Sequence, residues 1–142
     1  MKIAIGSDHG GYETKEFLKQ CLAQKGLALE DVGTYSTESC DYPLIADKMA
    51  GVILNKQADF GVLVCGTGIG ISIAANRHKG IRAALLYNEE TAALAREHND
   101  ANVAVFGGRT QAKEDVARYL EIFLNTPFSG GERHCRRIKE LG

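Results

Sequence analysis

The sequence predicts an α/β protein with one mostly parallel, five-stranded sheet and a helical tail at its C-terminal end. Two observations support this prediction. Short apolar segments typical of buried strands alternate along the chain with longer segments that repeat apolar residues at helical spacing. Strands separated by helices need right-handed crossover connections, which make the sheet mostly parallel and cover both of its faces.

The length and composition are those of one globular domain spanning residues 1–142. The chain is 44% hydrophobic and 25% charged, with 16 glycines and two prolines, which is typical of a folded protein. The formal net charge of −1 does not favour binding to nucleic acid or to an anionic membrane, because both need a broad basic surface. No apolar run approaches the ~18 residues of a membrane helix. Four cysteines without C-x-x-C spacing and no N-terminal signal pattern lead us to expect a cytoplasmic protein with reduced thiols.

The five predicted strands differ in how clearly their patterns define them. The clearest is residues 59–65 (DFGVLVC), a continuous apolar run of the kind found in strands buried on both faces. Residues 2–7 (KIAIGS) have a similar pattern, and residues 27–32 form a shorter segment that Gly33 closes. The remaining predicted strands are residues 81–87 and 102–106.

The segments between the strands carry apolar residues three and four positions apart, which predicts amphipathic helices. The first, residues 13–25, places Leu18 and Leu22 on one face. Pro43 suits the first turn of the second helix, which runs to about residue 57. The other predicted helices are a short one through Ile73 to about residue 78, residues 89–97, residues 111–125 and the basic tail 132–141.

Ligands of such sheets bind outside the carboxyl ends of the strands, so the loops there are where we expect the chemistry. The four candidate segments are Asp8 with His9, residues 66–70, His98 with Asn99, and residues 107–109. The segment of His98 and Asn99 differs from the others, because it ends a helix and leads into the fifth strand.

The strongest motif is Cys-Gly-Thr-Gly-Ile-Gly at residues 65–70, between the clearest strand and a helix. Its glycines allow backbone N–H groups to approach an anion, and the helix N-terminus adds a favourable dipole. A Walker loop is excluded because no lysine follows. A dinucleotide fingerprint would need glycine, and a cysteine phosphatase arginine, where this chain has Ile71. An anion-binding loop and an ordinary tight turn both remain open.

Cys65 ends the strand at the mouth of this loop. A thiol beside a helix N-terminus can act as a nucleophile or as a proton-abstracting base. The alternative is a small buried apolar residue. The hydroxyl of Thr67 can join the loop amides in stabilising an oxyanion, or it can bond locally within the turn.

Three further side chains are candidates because of their positions. Asp8 and His9 directly follow the first strand, where they would either face a ligand or cap a turn. His98 closes the fourth helix, where it would either serve the chemistry or simply cap the helix and interact with its dipole.

The basic tail carries Arg133 and Arg137, four residues apart on one helical face. Two guanidinium groups on one face suit bidentate binding of a phosphate, although a solvated amphipathic face is the alternative. The four histidines are scattered and contain no H-x-x-x-H pair, so we expect no metal site.

These motifs resemble the type B ribose-5-phosphate isomerases, a family that also contains galactose-6-phosphate isomerase subunits. The resemblance runs through IGSDHGGYETK, DYP, VCGTGIGISIAANR, REHNDANV, FGGR and GGERHCRRI. It implies a Rossmann-like three-layer α/β sandwich and a homodimer or tetramer whose sites are shared between subunits. It also implies interconversion of ribose 5-phosphate and ribulose 5-phosphate, a reaction of the pentose phosphate pathway, through a cis-enediolate and without metal or cofactor.

The resemblance also implies the catalytic roles. Cys65 would move a proton between C1 and C2 of the sugar, and Thr67 would stabilise the enediolate oxygens. His98 would help to open the furanose ring. One branch of the family places a glutamate base where this chain has Ile71, so the chain resembles the cysteine branch. The loop residues whose amides would assist Thr67 are Gly66, Gly68, Ile69 and Gly70.

The remaining implied roles concern substrate binding. Asp8 and Asn99 would hold substrate oxygens, and Tyr42 would line the sugar pocket. Glu132 stands between Gly131 and Arg133, where we expect some family members to be one residue shorter, which affects the register of the tail. The residues implied to bind the phosphate, some of them from the partner subunit, are His9, Arg109, Arg133 and Arg137.

Two other functions are compatible with the sequence. The substrate of the isomerase would instead be a six-carbon sugar phosphate, such as galactose or allose 6-phosphate, because the depth of the pocket is not evident from sequence. A module that senses a phosphosugar without turnover would use the glycine loop and the basic tail, but it would not need a thiol aimed into that loop. Ribose 5-phosphate isomerisation is therefore the prediction.

Overall fold

The computed structural model describes all 142 residues and confirms the predicted parallel sheet. The strands lie in the order β2-β1-β3-β5-β4, and every neighbouring pair is parallel. Their bounds are β1 (Lys2–Ser7), β2 (Ala28–Asp31), β3 (Phe60–Cys65), β4 (Ala83–Leu85) and β5 (Val103–Gly107).

Six α-helices connect and follow the strands, and a short 3₁₀ helix at His9–Gly11 precedes the first of them. None of the helices is both long and apolar enough to cross a bilayer. Their bounds are α1 (Tyr12–Gln24), α2 (Tyr42–Leu54), α3 (Ile69–Asn76), α4 (Glu89–Glu97), α5 (Lys113–Asn125) and α6 (Glu132–Leu141).

The helices form two layers around the sheet. Helices α1, α4 and α5 pack against one face, and α2 and α3 pack against the other. In β3, Val64 faces the first layer, whereas Leu63 and Cys65 face the second, as the alternation of side chains along a strand requires. Because both faces are covered, every position of this strand can be apolar, which explains its continuous apolar run.

The strand order creates a crevice at one edge of the sheet. From β1 the chain crosses to β2 on one side and then returns to β3 on the other side of β1. This reversal is a topological switch point, where ligands of open parallel sheets bind beyond the strand ends. Asp8 follows β1 and Cys65 ends β3, so both lie at this edge. We call it the carboxyl edge, and the opposite edge, where the strands begin, the amino edge.

A buried ion pair ties α1 to the end of β2. Lys15 is fully buried, and its Nζ lies 2.9 Å from Oδ1 of Asp31 and donates to the carbonyl of Thr34. The other carboxylate oxygen of Asp31 lies 2.9 Å from Nζ of Lys19. The amide of Gly33 donates to Oδ1 of Asp31 over 2.9 Å. These contacts hold the beginning of the long loop that leads to α2.

Candidate active site

Cys65 is held at the carboxyl edge with its sulfur turned into the glycine loop. The residue is 4% exposed, and the amide of Gly68 donates to its Sγ over 3.1 Å. Gly68 has a φ of +81°, and a Cβ there would lie 2.6 Å from Leu85 Cδ1 and 2.9 Å from the carbonyl oxygen of Phe106. Glycine is therefore required where the backbone turns its N–H toward the sulfur.

Helix α3 begins at Ile69, two residues earlier than the sequence pattern indicates, so the glycine motif runs into its first turn. First-turn amides have no acceptor within their helix. The amide of Ile69 is satisfied by Oγ1 of Thr67 at 3.2 Å, which is the local turn bond left open by the sequence. The hydroxyl hydrogen of Thr67, which is exposed, is still able to donate to a ligand.

The ring of Tyr42 packs over this first turn. A Cβ at position 70 would lie 2.6 Å from Cζ of Tyr42, so only glycine at Gly70 leaves room for the ring. Tyr42 is the first residue of α2, which starts at the carboxyl edge because it follows β2. The structure therefore brings Tyr42 to the loop that Cys65 begins.

Asp8 and His9 each bond locally. Oδ1 of Asp8 accepts from the amides of Gly10 at 2.9 Å and Gly11 at 3.2 Å, so Asp8 caps the 3₁₀ helix and keeps Oδ2 for a ligand. Nδ1 of His9 accepts from the amide of Cys40 at 3.1 Å. This bond assigns the ring proton to Nε2, where it can be donated.

A cavity of about 460 Å³ with no hydrophobic residue in its lining lies beside this loop cluster. Arg109 lines it and is joined to the glycine loop by its amide, which donates to the carbonyl of Gly66 over 2.9 Å. The amide of Gly108 likewise donates to the carbonyl of Cys65 over 2.8 Å. The cavity has the cationic, polar lining that suits a phosphate group. Its other lining residues are His9, Gly10, Glu13, Thr14, Thr37 and Lys113.

His98 and Asn99 do not lie at the carboxyl edge, and here the expectation from sequence is wrong. His98 caps the C-terminal end of α4, which runs back across the sheet to the beginning of β5. The carbonyl of Asn99 accepts from Nε of Arg82 at 3.0 Å, and Arg82 immediately precedes β4. Gly61 is level with Val103 at the start of β5, so Cys65 lies about 13 Å further along the strands than the point where β5 begins.

Arg133 and Arg137 lie with His98 at the amino edge. Both are exposed on α6, whose approach is fixed by a bond from the amide of Ser129 to the carbonyl of Glu97 at 3.1 Å. The ring of His134 stacks on the ring of His98. The candidate residues thus divide into two groups on opposite edges. The carboxyl-edge group contains Cys65, Thr67, Asp8, His9, Tyr42 and Arg109, and the amino-edge group contains His98, Asn99, Arg133 and Arg137.

The sequence-based prediction does not include three residues that lie in the polar cavity or at the amino edge, namely Thr37, Lys113 and His134. Lys113 and Thr37 line the polar cavity, but neither belongs to a motif that would have indicated it. His134 lies within the quoted tail segment, where its position next to Arg133 is the signal that indicates it. His78, which we did not assign, pairs with Asp47 at 2.7 Å on the surface. The side chains contain no group of three or more His, Cys, Asp or Glu placed to hold a metal ion.

Comparison with known proteins shows that this chain is similar to sugar-phosphate isomerases. The family model described as Ribose/Galactose Isomerase matches residues 3–141. Ribose-5-phosphate isomerase B of Escherichia coli is 40% identical over 140 residues, which are 99% of this chain and 93% of that protein.

Solved structures of ribose 5-phosphate isomerases have the same fold as this chain. A ribose 5-phosphate isomerase from Thermotoga maritima superposes with a TM-score of 0.97 at 54% identity, covering 99% of this chain and 96% of that one. Ribose-5-phosphate isomerase B of Clostridium thermocellum superposes with a TM-score of 0.98 at 43% identity, covering 100% and 95%. Fold and site together define an α/β isomerase. The chain belongs to the Ribose/Galactose Isomerase family.

Proposed function

We propose that this chain interconverts ribose 5-phosphate and ribulose 5-phosphate. The observation that carries the proposal is the thiol of Cys65, held by the Gly68 amide at the switch point of the sheet and beside a polar cavity that suits a phosphate. The relatives named ribose-5-phosphate isomerase B match this chain over nearly its whole length, which favours the five-carbon substrate over a six-carbon one. A sensor without turnover would have no use for this thiol.

The reaction is a proton transfer between neighbouring carbons. The thiolate of Cys65 takes the proton from C2 of the open-chain aldose. The electron pair of the broken C2–H bond forms a C1–C2 double bond, and the carbonyl electrons leave a negative charge on O1. A proton then moves from O2 to O1, and Cys65 returns its proton to C1, which gives the ketose. A general base of this kind contributes ~10²–10⁴-fold. The hydroxyl of Thr67 and the first-turn amide of Gly70 face the charged oxygens, whereas the amide of Ile69 is bonded to Thr67. Each donor to the charged oxygens is worth about 10²–10³-fold.

Opening the furanose ring precedes this transfer, and we assign it to His98. The phosphate is held by Nε2–H of His9 and by the guanidinium groups of Arg109, Arg133 and Arg137. Asp8 and Asn99 bind sugar oxygens, and Tyr42 lines the pocket. Binding energy from the phosphate places the reacting carbon against Cys65.

One chain alone does not assemble this site, because its two groups of residues lie on opposite edges of the sheet. We therefore propose a homodimer with shared sites. A two-fold axis perpendicular to the strands reverses their direction, so each carboxyl edge meets the partner's amino edge and two equal sites form. Ile69 and Ile73, four residues apart on α3, are 55% and 52% exposed, and Leu44 of α2 is 60% exposed. These side chains form the apolar surface that a second copy would cover.

A free thiol that acts as a base must stay reduced, which supports the cytoplasm as the compartment of this enzyme.

The experiment that tests the function follows ribose 5-phosphate in D₂O by NMR with purified protein and a chelator. We expect ribulose 5-phosphate to form and deuterium to enter at C1, the carbon to which Cys65 returns the proton. Binding without exchange would indicate a sensor, and loss of activity in the chelator would indicate a metal-dependent hydride shift. A kcat/KM for a six-carbon sugar phosphate more than about tenfold above that for ribose 5-phosphate would identify the six-carbon sugar as the substrate. That ratio corresponds to ~1.4 kcal/mol of transition-state binding.

A further inference from the structure

The rings of His98 and His134 form a stacked pair at the amino edge. Their centroids are 4.2 Å apart and their planes differ by 12°. Hydrogen bonds hold two other histidine rings, those of His9 and His78, whereas stacking holds the ring of His98. Its backbone is fixed by a bond from its amide to the carbonyl of Leu94 at 2.9 Å, so the orientation of the ring depends on the side-chain torsions.

We propose that His134 is a positioning residue, which orients the imidazole of His98 for ring opening. The proposal rests on the proposed function, in which His98 opens the furanose. The torsion that turns an imidazole about its Cβ–Cγ bond is broad and roughly two-fold, so an unsupported ring samples many planes. A second ring lying flat against the first restricts that rotation.

The chemistry makes this restriction useful. In ring opening the O1 hydroxyl loses its proton, the bond between C1 and the ring oxygen breaks, the ring oxygen gains a proton and C1–O1 becomes a carbonyl. The two oxygens are attached to the same carbon, so one imidazole that serves both must present its nitrogen in the plane that they define. General acid–base catalysis depends on hydrogen-bond geometry of this kind.

The helix that carries His134 is weakly attached, which makes the stacked ring significant. No side chain of α6 is buried. His134 and Ile138, four residues apart, are half-buried on the same face of α6, whereas Arg133 and Arg137 are exposed. The chain therefore offers a matched control, because Ile138→Ala loosens α6 without removing the stacked ring.

The test compares two reactions of the full-length protein. Conversion of ribose 5-phosphate requires ring opening. Entry of deuterium at C1 of ribulose 5-phosphate in D₂O does not, because the phosphate on O5 prevents the ketose from closing a furanose. We expect His134→Ala to slow the conversion about tenfold or more while leaving deuterium entry within about twofold. His134→Phe, which keeps a flat ring, should restore most of the conversion, and Ile138→Ala should affect both reactions equally.

Three results would overturn the proposal. Equal losses in both reactions for His134→Ala would mean that His134 only docks α6. Failure of His134→Phe to restore conversion would mean that the imidazole nitrogens of His134 matter rather than its face. The NMR signals of the His98 ring protons test the stack without substrate, and they must shift clearly more in His134→Ala than in Ile138→Ala; an equal or smaller shift contradicts the orientation role. A wild-type protein that performs neither reaction, with His98 signals that behave as expected, would instead contradict the proposed function, and the ring-opening role with it.

Discussion

The amide of Gly68 donates to the Sγ of Cys65 over 3.1 Å, across the turn that joins β3 to α3. The sulfur therefore faces the positive end of a peptide dipole and lies beside the N-terminus of a helix. Both features favour negative charge at this place. The strand fixes the position of the thiol, and the turn fixes its electrostatic surroundings.

Replacing Cys65 by alanine should abolish isomerisation and leave the fold intact. The loop contains no other side chain that can act as a base, and loss of a general base costs ~10²-fold or more. Isotope exchange in D₂O measures activity, and thermal unfolding of the same sample verifies the fold. A Cys65→Ala protein with activity within about tenfold of wild type would remove this residue from the mechanism.

Gly68→Ala should reduce both stability and turnover. The positive φ costs a non-glycine residue about 1–2 kcal/mol, and the added Cβ would also collide with Leu85 and with the carbonyl of Phe106. Gly26→Ala is the matched control, because Gly26 has a φ of +74° and no atom within 4 Å of the added Cβ. Denaturant unfolding should show a larger loss at position 68 than at 26. Equal losses would show that the close approach to Phe106 does not matter.

Stability should fall in acid partly because of Asp31. Burial raises the pKa of this carboxylate, but hydrogen bonds from Lys19, Lys15 and the amide of Gly33 outweigh it and hold the pKa below its usual value. The stabilisation is therefore present above the unfolded pKa of ~3.9 and is lost as the pH falls through the lower folded value.

Asp31→Asn should accordingly destabilise the protein at neutral pH by about 3 kcal/mol, because it removes the nearer carboxylate of buried Lys15 and leaves only Glu16, 3.9 Å away. It should also flatten the acid dependence. Unfolding in urea at several pH values measures both effects. Glu121→Gln removes the exposed pair with Lys25 and should change stability by less than ~1 kcal/mol. An unchanged acid dependence in Asp31→Asn would show that other carboxylates control acid unfolding.

Arg137→Ala should weaken kcat/KM for sugar phosphates by ~10–100-fold, because charge-assisted contacts are worth about 1.5–3 kcal/mol. Activity on the unphosphorylated sugar, which offers nothing for the guanidinium to hold, should barely change. Arg136→Ala is the control, since Arg136 lies one position away on α6, where it is 3.9 Å from Glu140. If both kinds of sugar lose activity by the same factor, Arg137 supports folding or assembly rather than the phosphate.

Mixing chains that carry Cys65→Ala with chains that carry Arg137→Ala should restore activity. In a mixed dimer with shared sites, one site receives both substitutions and the other receives neither. Random exchange makes about half of the dimers mixed, so we expect about a quarter of the wild-type activity. A mixture no more active than the average of its two parents would show that each site is built within one chain.

Much of the fold could be predicted because its signals are local. Residues 89–97 and 132–141 are helices with the bounds that their sequences indicate. The strand predicted at residues 81–87 is too long, because only Ala83–Leu85 pair with β5. Apolar residues at the edge of a sheet do not by themselves form ladder hydrogen bonds. Cys65 and the glycine loop were found because strand, turn and helix signals converge on one short segment.

The rest depends on contacts between distant segments. The amide of Cys40 reaches Nδ1 of His9 only through the irregular loop between β2 and α2, which has no periodicity to interpret. His134 meets His98 across 36 positions of sequence, and neither residue signals the other. The position of His98 at the amino edge follows from the chain order, because a helix that returns to the start of a parallel strand must end at that edge.

The attachment of α6 by a half-buried face bears on how such a protein changes through evolution. Because this helix buries no side chain, substitutions in it cost little stability. The thiol and its turn, by contrast, are bound into the packed sheet and tolerate almost no change. Under the proposed function, in which α6 holds the phosphate, selection can therefore change the phosphate-binding helix while the strand and turn that carry the thiol are inherited unaltered, and new substrate preferences can arise without a new catalytic base.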